Sequence, residues 1–341
     1  MMEAMLGTFR YVLAHMVVVA HLAYTVGMWS GVYAVFSFFV ISGYLMAMVL
    51  DTTYPWSARG ILRFAANRAL RIYPPYLLVL TLGLAMALWD PQWARLLGNV
   101  RLPDGPVEWL RNIGIFTLHL EPTRTARLVP PSWSLDLELC WYLAMALGLG
   151  RSRRIVTVWL LISLAWTVHL VFSGVLFPLR YAQLAPASLP YAAGAALYYY
   201  REPIRLYLRH SAHIAVAGTL YVVNAVIPNR IWPSEFLEGF YVSLALTLYL
   251  LASLISFDRS RTPRWFQRVD ARLGDLSYPV FLCHLPVAPM LAMLDLSYAK
   301  GWRLFWIALP LINGIAWLVH WLSERPVVRL RDKVRGFAHG D

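Results

Sequence analysis

Arg10 and His21 stand eleven residues apart in the otherwise apolar stretch FRYVLAHMVVVAHLAYTVG. Eleven residues of α-helix make three turns plus about 20°, so the two side chains share a face and lie roughly 16 Å apart along the axis. An imidazole titrates near neutral pH and accepts a proton from a hydroxyl, which makes His21 a candidate general base. A neutral histidine hydrogen-bonded between helices fits the same residue and is the ordinary explanation of a lone one. His15, on another face of the same helix, is placed in that second class.

The segment SARGILRFAANRALRIYPPY sets Arg59, Arg63, Asn67 and Arg71 at steps of four, with Arg68 alongside. Anchoring of a basic amphipathic helix to anionic headgroups explains such a stripe. Arg68 and Arg71, three apart, are also suited to clamping a phosphorylated ligand that arrives from the cytoplasm. In PPSWSLDLELCWYL, Ser134, Glu138 and Tyr142 share a helix face, and Trp133 sits where an interfacial aromatic is expected. Glu138 lies a turn deeper, where a carboxylate is costly unless a cation or hydrogen bond compensates. LGDLSYPVFLCHLPV places Ser277, Phe281 and His284 on one face, giving a second intramembrane histidine. Glu324, in SERP, falls among arginines at the end of an apolar stretch, where a surface ion pair accounts for it.

The elements that must position these groups are membrane helices. Hydrophobic residues make up 59% of the chain and charged residues 14%, with a mean hydropathy of +0.55. A soluble domain carries roughly 25% charged residues, so much of this exterior must face lipid. A helix crosses a hydrocarbon core of about 30 Å with about 20 apolar residues. Ten stretches qualify, at about 10–28, 32–50, 73–89, 131–149, 155–173, 184–200, 212–227, 237–256, 274–294 and 303–322. The fold class expected is therefore all-α, a polytopic membrane protein of about ten transmembrane helices.

Orientation follows from the basic residues, which stay preferentially in cytoplasmic loops. With the N-terminus inside, the inside segments collect Arg10, Arg59 to Arg71, Arg151 to Arg154, Arg201 to Arg209, Arg259 to Arg272 and Arg325 to Arg335. Arg95, Arg101, Arg111, Arg124, Arg127, Arg180, Arg230, Lys300 and Arg303 fall outside. Both termini are expected in the cytoplasm.

The net charge of +12 is explained by this topology and does not call for nucleic acid. Cys140 and Cys283 lie inside expected spans and support neither a disulfide framework nor a cysteine metal site. The histidines lack a metal-ligand spacing such as HExxH, so no metal is expected. The first span is too long for the apolar core of a signal peptide and is read as retained. With no internal repeat, one membrane domain over 1–341 is expected.

In this order the motifs resemble acyltransferase family 3, the membrane O-acyltransferases that acylate carbohydrates. The resemblance rests on Arg10 with His21; FFVISGYL from Phe38 to Leu45; Arg68 to Pro74; Trp133 to Glu138; Leu276 to His284; and Glu324-Arg-Pro326. Each is weak alone; six in order on a polytopic chain are specific. The family commonly has an aspartate two residues before the FF, where this chain has Phe36. Its larger members add a soluble hydrolase-like domain that this chain is too short to hold.

The resemblance implies transfer of an acyl group, usually acetyl, from cytoplasmic acyl-CoA (acetyl-CoA) to a hydroxyl of an extracytoplasmic or lipid-linked glycan, at a bacterial-type inner membrane. It assigns Arg68 and Arg71 to the CoA phosphates, His21 to transfer with Arg10 as its motif partner, and Glu138 to support of His21 or the acceptor. Ser134, Ser277 and His284 remain as substrate or structural support. His21 either deprotonates the acceptor or takes the acyl group itself. Membrane lipid, polysaccharide-assembly proteins or a second copy of the chain are the remaining expected partners. A glycan transporter or flippase would also have many spans and buried charges, but with internal repeats and broken helices. The unrelated membrane-bound O-acyltransferases centre on one histidine deep in the chain.

Overall fold

The computed structural model describes residues 5–23, 28–89, 101–120, 126–226, 237–258, 260, 262–293 and 301–335. Arg95, Arg124, Arg230, Arg259, Arg261 and Lys300 lie outside them. Of the described residues 84% are helical, and none is in a strand.

The helices are α1 (Leu6–Leu22), α2 (Met28–Thr52), α3 (Ala58–Trp89), α4 (Pro106–Gly114), α5 (Ser132–Ala144), α6 (Arg153–Phe172), α7 (Phe177–Tyr181), α8 (Ser188–Tyr199), α9 (Arg201–Leu208), α10 (Ser211–Val226), α11 (Leu237–Ser256), α12 (Arg264–Met293) and α13 (Trp302–Arg335). A π-helical turn, Met145–Leu149, extends α5.

Of these, α2, α3, α6, α11 and α13 are long and apolar enough to cross a membrane, and α1 and α10 are shorter apolar helices. The remaining expected spans fall on helices of other character. α8 has 12 residues, or roughly 18 Å, against a hydrocarbon core of about 30 Å. It is held inside the protein: every residue from Ser188 to Tyr198 is buried. α12 is long, but Arg264, Arg268, Asp270, Arg272 and Asp275 load its first half with charge. The basic stripe from Arg59 to Arg71 is not a separate segment, since α3 runs unbroken from it through Pro74 and Pro75 to Trp89.

Side-chain ties collect the arginine-rich helix ends on one side. Arg151 donates to the carbonyls of Leu50 (2.9 Å) and Tyr54 (2.5 Å), Tyr198 to Asp51 (2.7 Å), Arg63 to the carbonyl of Val334 (2.8 Å), and Arg205 to that of Ile255 (3.2 Å). This basic end holds the start of α1, α3, α6 and α12 and the end of α2, α5, α8, α11 and α13. At the opposite end Gly301 donates its N–H to Leu22 O (2.8 Å) and Asn224 its amide to Gly239 O (2.9 Å).

Two backbone contacts set the helix spacing. A Cβ on Gly43 would lie 2.2 Å from Tyr191 O, and one on Gly194 would lie 2.0 Å from Val40 O, so α2 and α8 meet backbone to backbone. A Cβ on Gly7 would stand 1.9 Å from Asp270 O, which fixes α1 against α12 in the same way. Small residues at close crossings are how membrane helices associate, because burial of apolar area supplies little drive in lipid.

Candidate active site

Arg10, Arg68, Arg71, Ser134, Glu138 and Ser277, all singled out in the sequence, line one cavity of about 630 Å³. It runs from Thr52, Tyr54 and Arg335 at the basic end to Val35 on α2, roughly 25 Å at 1.5 Å per residue. Its walls come from α1, α2, α3, α5, α12 and the end of α13.

Four guanidiniums line it: Arg335, which pairs with Asp332 (3.9 Å), and the three of Arg10, Arg68 and Arg71. Asp270 holds Arg10 in place by reaching from α12 to the first turn of α1, accepting from Thr8 N and Thr8 Oγ1 (both 2.7 Å) and from Gly7 N (3.3 Å). A carboxylate satisfies otherwise unpartnered N–H groups there and complements the helix dipole. Arg68, 7% exposed, donates from Nη2 to Asn67 Oδ1 (3.0 Å) and from Nη1 to Met46 Sδ (3.7 Å), while its buried Nε lacks a partner. Asn67 in turn donates to Arg331 O (3.2 Å), which locks α3 to α13. Arg71 is near enough to repel both Arg10 and Arg68. None of the three makes an ion pair with a carboxylate among the described residues. A partly buried, self-repelling cationic cluster of this kind is stabilised by an anion with several acceptor oxygens.

Glu138 faces the same cavity. Its Oε1 accepts from Ser42 Oγ (2.8 Å) and from Tyr142 OH. Ser277, fully buried, donates to Gly274 O (2.7 Å), and Ser134 to Pro131 O (2.8 Å), so both hydroxyls are tied back to their own helices.

The two intramembrane histidines lie elsewhere. His21 and His284 do not line the cavity but face each other, with rings 5.0 Å apart and His284 Nε2 3.1 Å from His21 Nδ1. His21 Nδ1 also meets Val17 O (2.9 Å), and His284 Nδ1 meets Phe281 O (2.8 Å). A carbonyl only accepts, so each Nδ1 carries a hydrogen, and the hydrogen-free Nε2 of neutral His284 shares the His21 Nδ1 hydrogen with Val17 O. Neutral His21 then keeps its lone pair on Nε2, where a general base needs it. Phe281 and Phe38, both on the cavity wall, pack edge to face at 6.0 Å, and Phe281 lies 6.3 Å from His284. The histidine pair thus sits one turn beyond Phe281, the last residue of α12 that lines the cavity. Arg10 and His21 share a helix but are on opposite sides of that boundary, and Glu138 contacts Ser42 and Tyr142 rather than His21.

His15 is fully engaged, with Nδ1 donating to Tyr11 O (2.9 Å) and Nε2 accepting from Asn313 Nδ2 (3.2 Å), as a neutral core histidine does. Phe36 packs among Tyr181 (5.5 Å, stacked) and Phe240 (4.5 Å), so an aromatic junction of α2, α7 and α11 occupies the position of the family's aspartate. Glu324 is not a surface residue: its side chain is 13% exposed, 3.6 Å from His320 Nδ1, and feels the charges of Arg71 and Arg331.

Sequence reasoning passed over several residues. Asp270 and Asp275 line the cavity; Asp270 fell among the arginines of an expected loop, and Asp275 opened the expected span 274–294 without being given a role. Ser42 is inside the FFVISGYL motif but was not assigned a partner. His119 binds Asp136 (2.6 Å through Nδ1, 3.0 Å through its backbone N–H), an interaction across seventeen residues that no local pattern announces.

The family described as an acyltransferase domain matches residues 6–321, nearly the whole chain, and the chain belongs to it. No curated protein matches the chain, and no solved structure does.

Proposed function

We propose that this member of acyltransferase family 3 transfers an acyl group from acyl-CoA, bound in the cavity from the basic end, to a glycan hydroxyl presented at the opposite end. The observation that carries this is the arginine cluster. Arg10, Arg68 and Arg71 converge on one cavity, lack carboxylate partners among the described residues, and are positioned for the phosphates of CoA. The positive-inside bias puts that end, with both termini, in the cytoplasm, where acyl-CoA is found. Acetyl is the donor group the resemblance favours, and the membrane is the inner membrane of a bacterial-type cell.

His21 acts on the far side of the phenylalanine pair. Its Nε2 takes the proton of the acceptor hydroxyl as the oxygen attacks the thioester carbonyl. An ester C–O bond forms, the C–S bond breaks, and the CoA thiolate leaves and is protonated. His284, accepting from His21 Nδ1, holds the ring in the tautomer with its lone pair on Nε2 and steadies the imidazolium once it forms, as the third group of a catalytic triad does. Glu138 supports the substrate within the cavity, held by Ser42 and Tyr142. The reaction requires the acyl carbonyl to pass between Phe38 and Phe281, so CoA itself stays on the cavity side.

Thermal unfolding with CoA tests the reading. An acyltransferase gains stability from CoA by mass action, and Arg68→Gln loses that gain; a glycan transporter of the same fold gains nothing from CoA.

A further inference from the structure

A second concavity, of about 610 Å³, lies between α5 with its π turn, α6 and the start of α8. Its floor is apolar by construction. Trp159 Nε1 donates to Ser188 Oγ (2.8 Å), Ser163 and Ser188 hydroxyls share a bond (2.7 Å), and Trp141 Nε1 donates to Leu184 O (3.2 Å). The hydrogen-bonding groups of Trp141, Trp159, Ser163 and Ser188 are therefore engaged inside the protein, and what they leave facing the groove is the stacked faces of Trp141 and Trp159, 5.5 Å apart, with aliphatic side chains of α6. The groove opens on the outward side of α6, where Val158 and Ile162 are 56% and 63% exposed.

The groove is charged at one end only. Arg154 lines it where α6 leaves the basic end, is exposed, and makes neither a hydrogen bond nor an ion pair among the described residues. Its neighbour Arg153 differs, since it lies over the Tyr200 ring at 4.1 Å. From Arg154 to Trp166, the far lining residue on α6, the groove runs roughly 18 Å, against about 15 Å for one leaflet of hydrocarbon.

We propose that this groove seats an acyl chain of one anionic phospholipid from the leaflet at the basic end, with Arg154 taking its headgroup phosphate. A satisfied, apolar floor excludes a polar ligand. A single unpartnered guanidinium at the interfacial end selects a negative headgroup, and the length matches one leaflet rather than two.

The test uses the full chain in detergent with equal mole fractions of phosphatidylglycerol or phosphatidylcholine carrying identical chains, read by native mass spectrometry and by thermal midpoint. One phosphatidylglycerol is retained per chain, and the midpoint is several degrees higher than in phosphatidylcholine. Arg154→Gln abolishes both effects, whereas Arg209→Gln, at the same end but off the groove, keeps them. Ile162→Trp fills the groove without altering charge; it loses the retained lipid while melting normally in phosphatidylcholine. Equal retention of the two lipids overturns the proposal. So does equal loss in Arg209→Gln, which would mean general attraction to a basic end, or a dimer that covers the groove with no lipid retained.

Discussion

His284 Nε2 accepts a hydrogen bond from His21 Nδ1 at 3.1 Å, across 263 residues of sequence. The contact joins α1 to α12 just past the end of the arginine-lined cavity, and with Val17 O and Phe281 O it fixes which nitrogen of each ring carries hydrogen. Under the proposed function, CoA binding falls to the arginine-lined cavity and proton transfer to the histidine pair beyond it.

His284→Leu removes the acceptor while keeping bulk. It should lower kcat roughly 10- to 100-fold, the size of one hydrogen bond to a charged group, with KM for acyl-CoA unchanged. His284→Gln, whose amide oxygen can accept, should recover much of the loss. A fall in both variants accompanied by a weaker CoA interaction would mean that His284 only packs.

Arg68→Gln and Arg71→Gln should raise the Kd for CoA by roughly 10- to 100-fold each, measured by calorimetry in detergent, since each removes a charge-assisted contact to phosphate. The protein without ligand should melt no lower, because each change relieves repulsion among Arg10, Arg68 and Arg71.

Phe281→Ala removes one ring of the pair that separates the cavity from His284. Thiol release from acyl-CoA without a glycan acceptor should rise, because water reaches the thioester from the far end. An unchanged hydrolysis rate would show that the two rings are not the barrier.

Gly194→Ala places a methyl group 2.0 Å from Val40 O, a contact that only helix separation can relieve. A loss of about 1–3 kcal/mol is expected, read as a lower thermal midpoint. Gly218→Ala is its control, since no atom lies within 4 Å of a Cβ there.

Glu108, on the short helix α4 outside the expected spans, pairs with Arg101 (2.9 Å). Partial burial pushes its carboxyl up, but the Asp104 N–H and the Arg101 guanidinium outweigh that and hold it below its ordinary value of 4.5. A depressed carboxyl contributes stability that is present in full above its ordinary value and is lost as pH falls through the lower folded value. Glu108→Gln should therefore melt below wild type at pH 7, and the two should converge as the pH drops below 4.5.

What was legible in the sequence was set by cost. Arg10, Arg68, Arg71 and Glu138 stood out because charge inside an apolar stretch must have a reason, and all four line one cavity. What the sequence left open was depth and partnership. Helical periodicity put Arg10 and His21 on one face, but only packing against α12 shows that the cavity ends between them. Asp270 fell among the arginines of an expected loop, and Asp275 opened an expected span with no partner in the sequence to mark it. The span count was limited for a related reason. Hydropathy marks apolar stretches, and the one at 184–200 proved to hold a 12-residue helix buried inside the protein.

The most direct test of the central claim is release of CoA thiol from acetyl-CoA by the purified protein in lipid, with envelope glycan as acceptor, in wild type, His21→Ala and Arg68→Gln. Wild type should turn over. His21→Ala should bind CoA normally but turn over roughly 100- to 10,000-fold more slowly, and Arg68→Gln should be restored by raising the donor concentration. A His21→Ala protein that turns over like wild type, or a wild type that neither binds nor consumes any acyl-CoA across a panel of chain lengths, would contradict it.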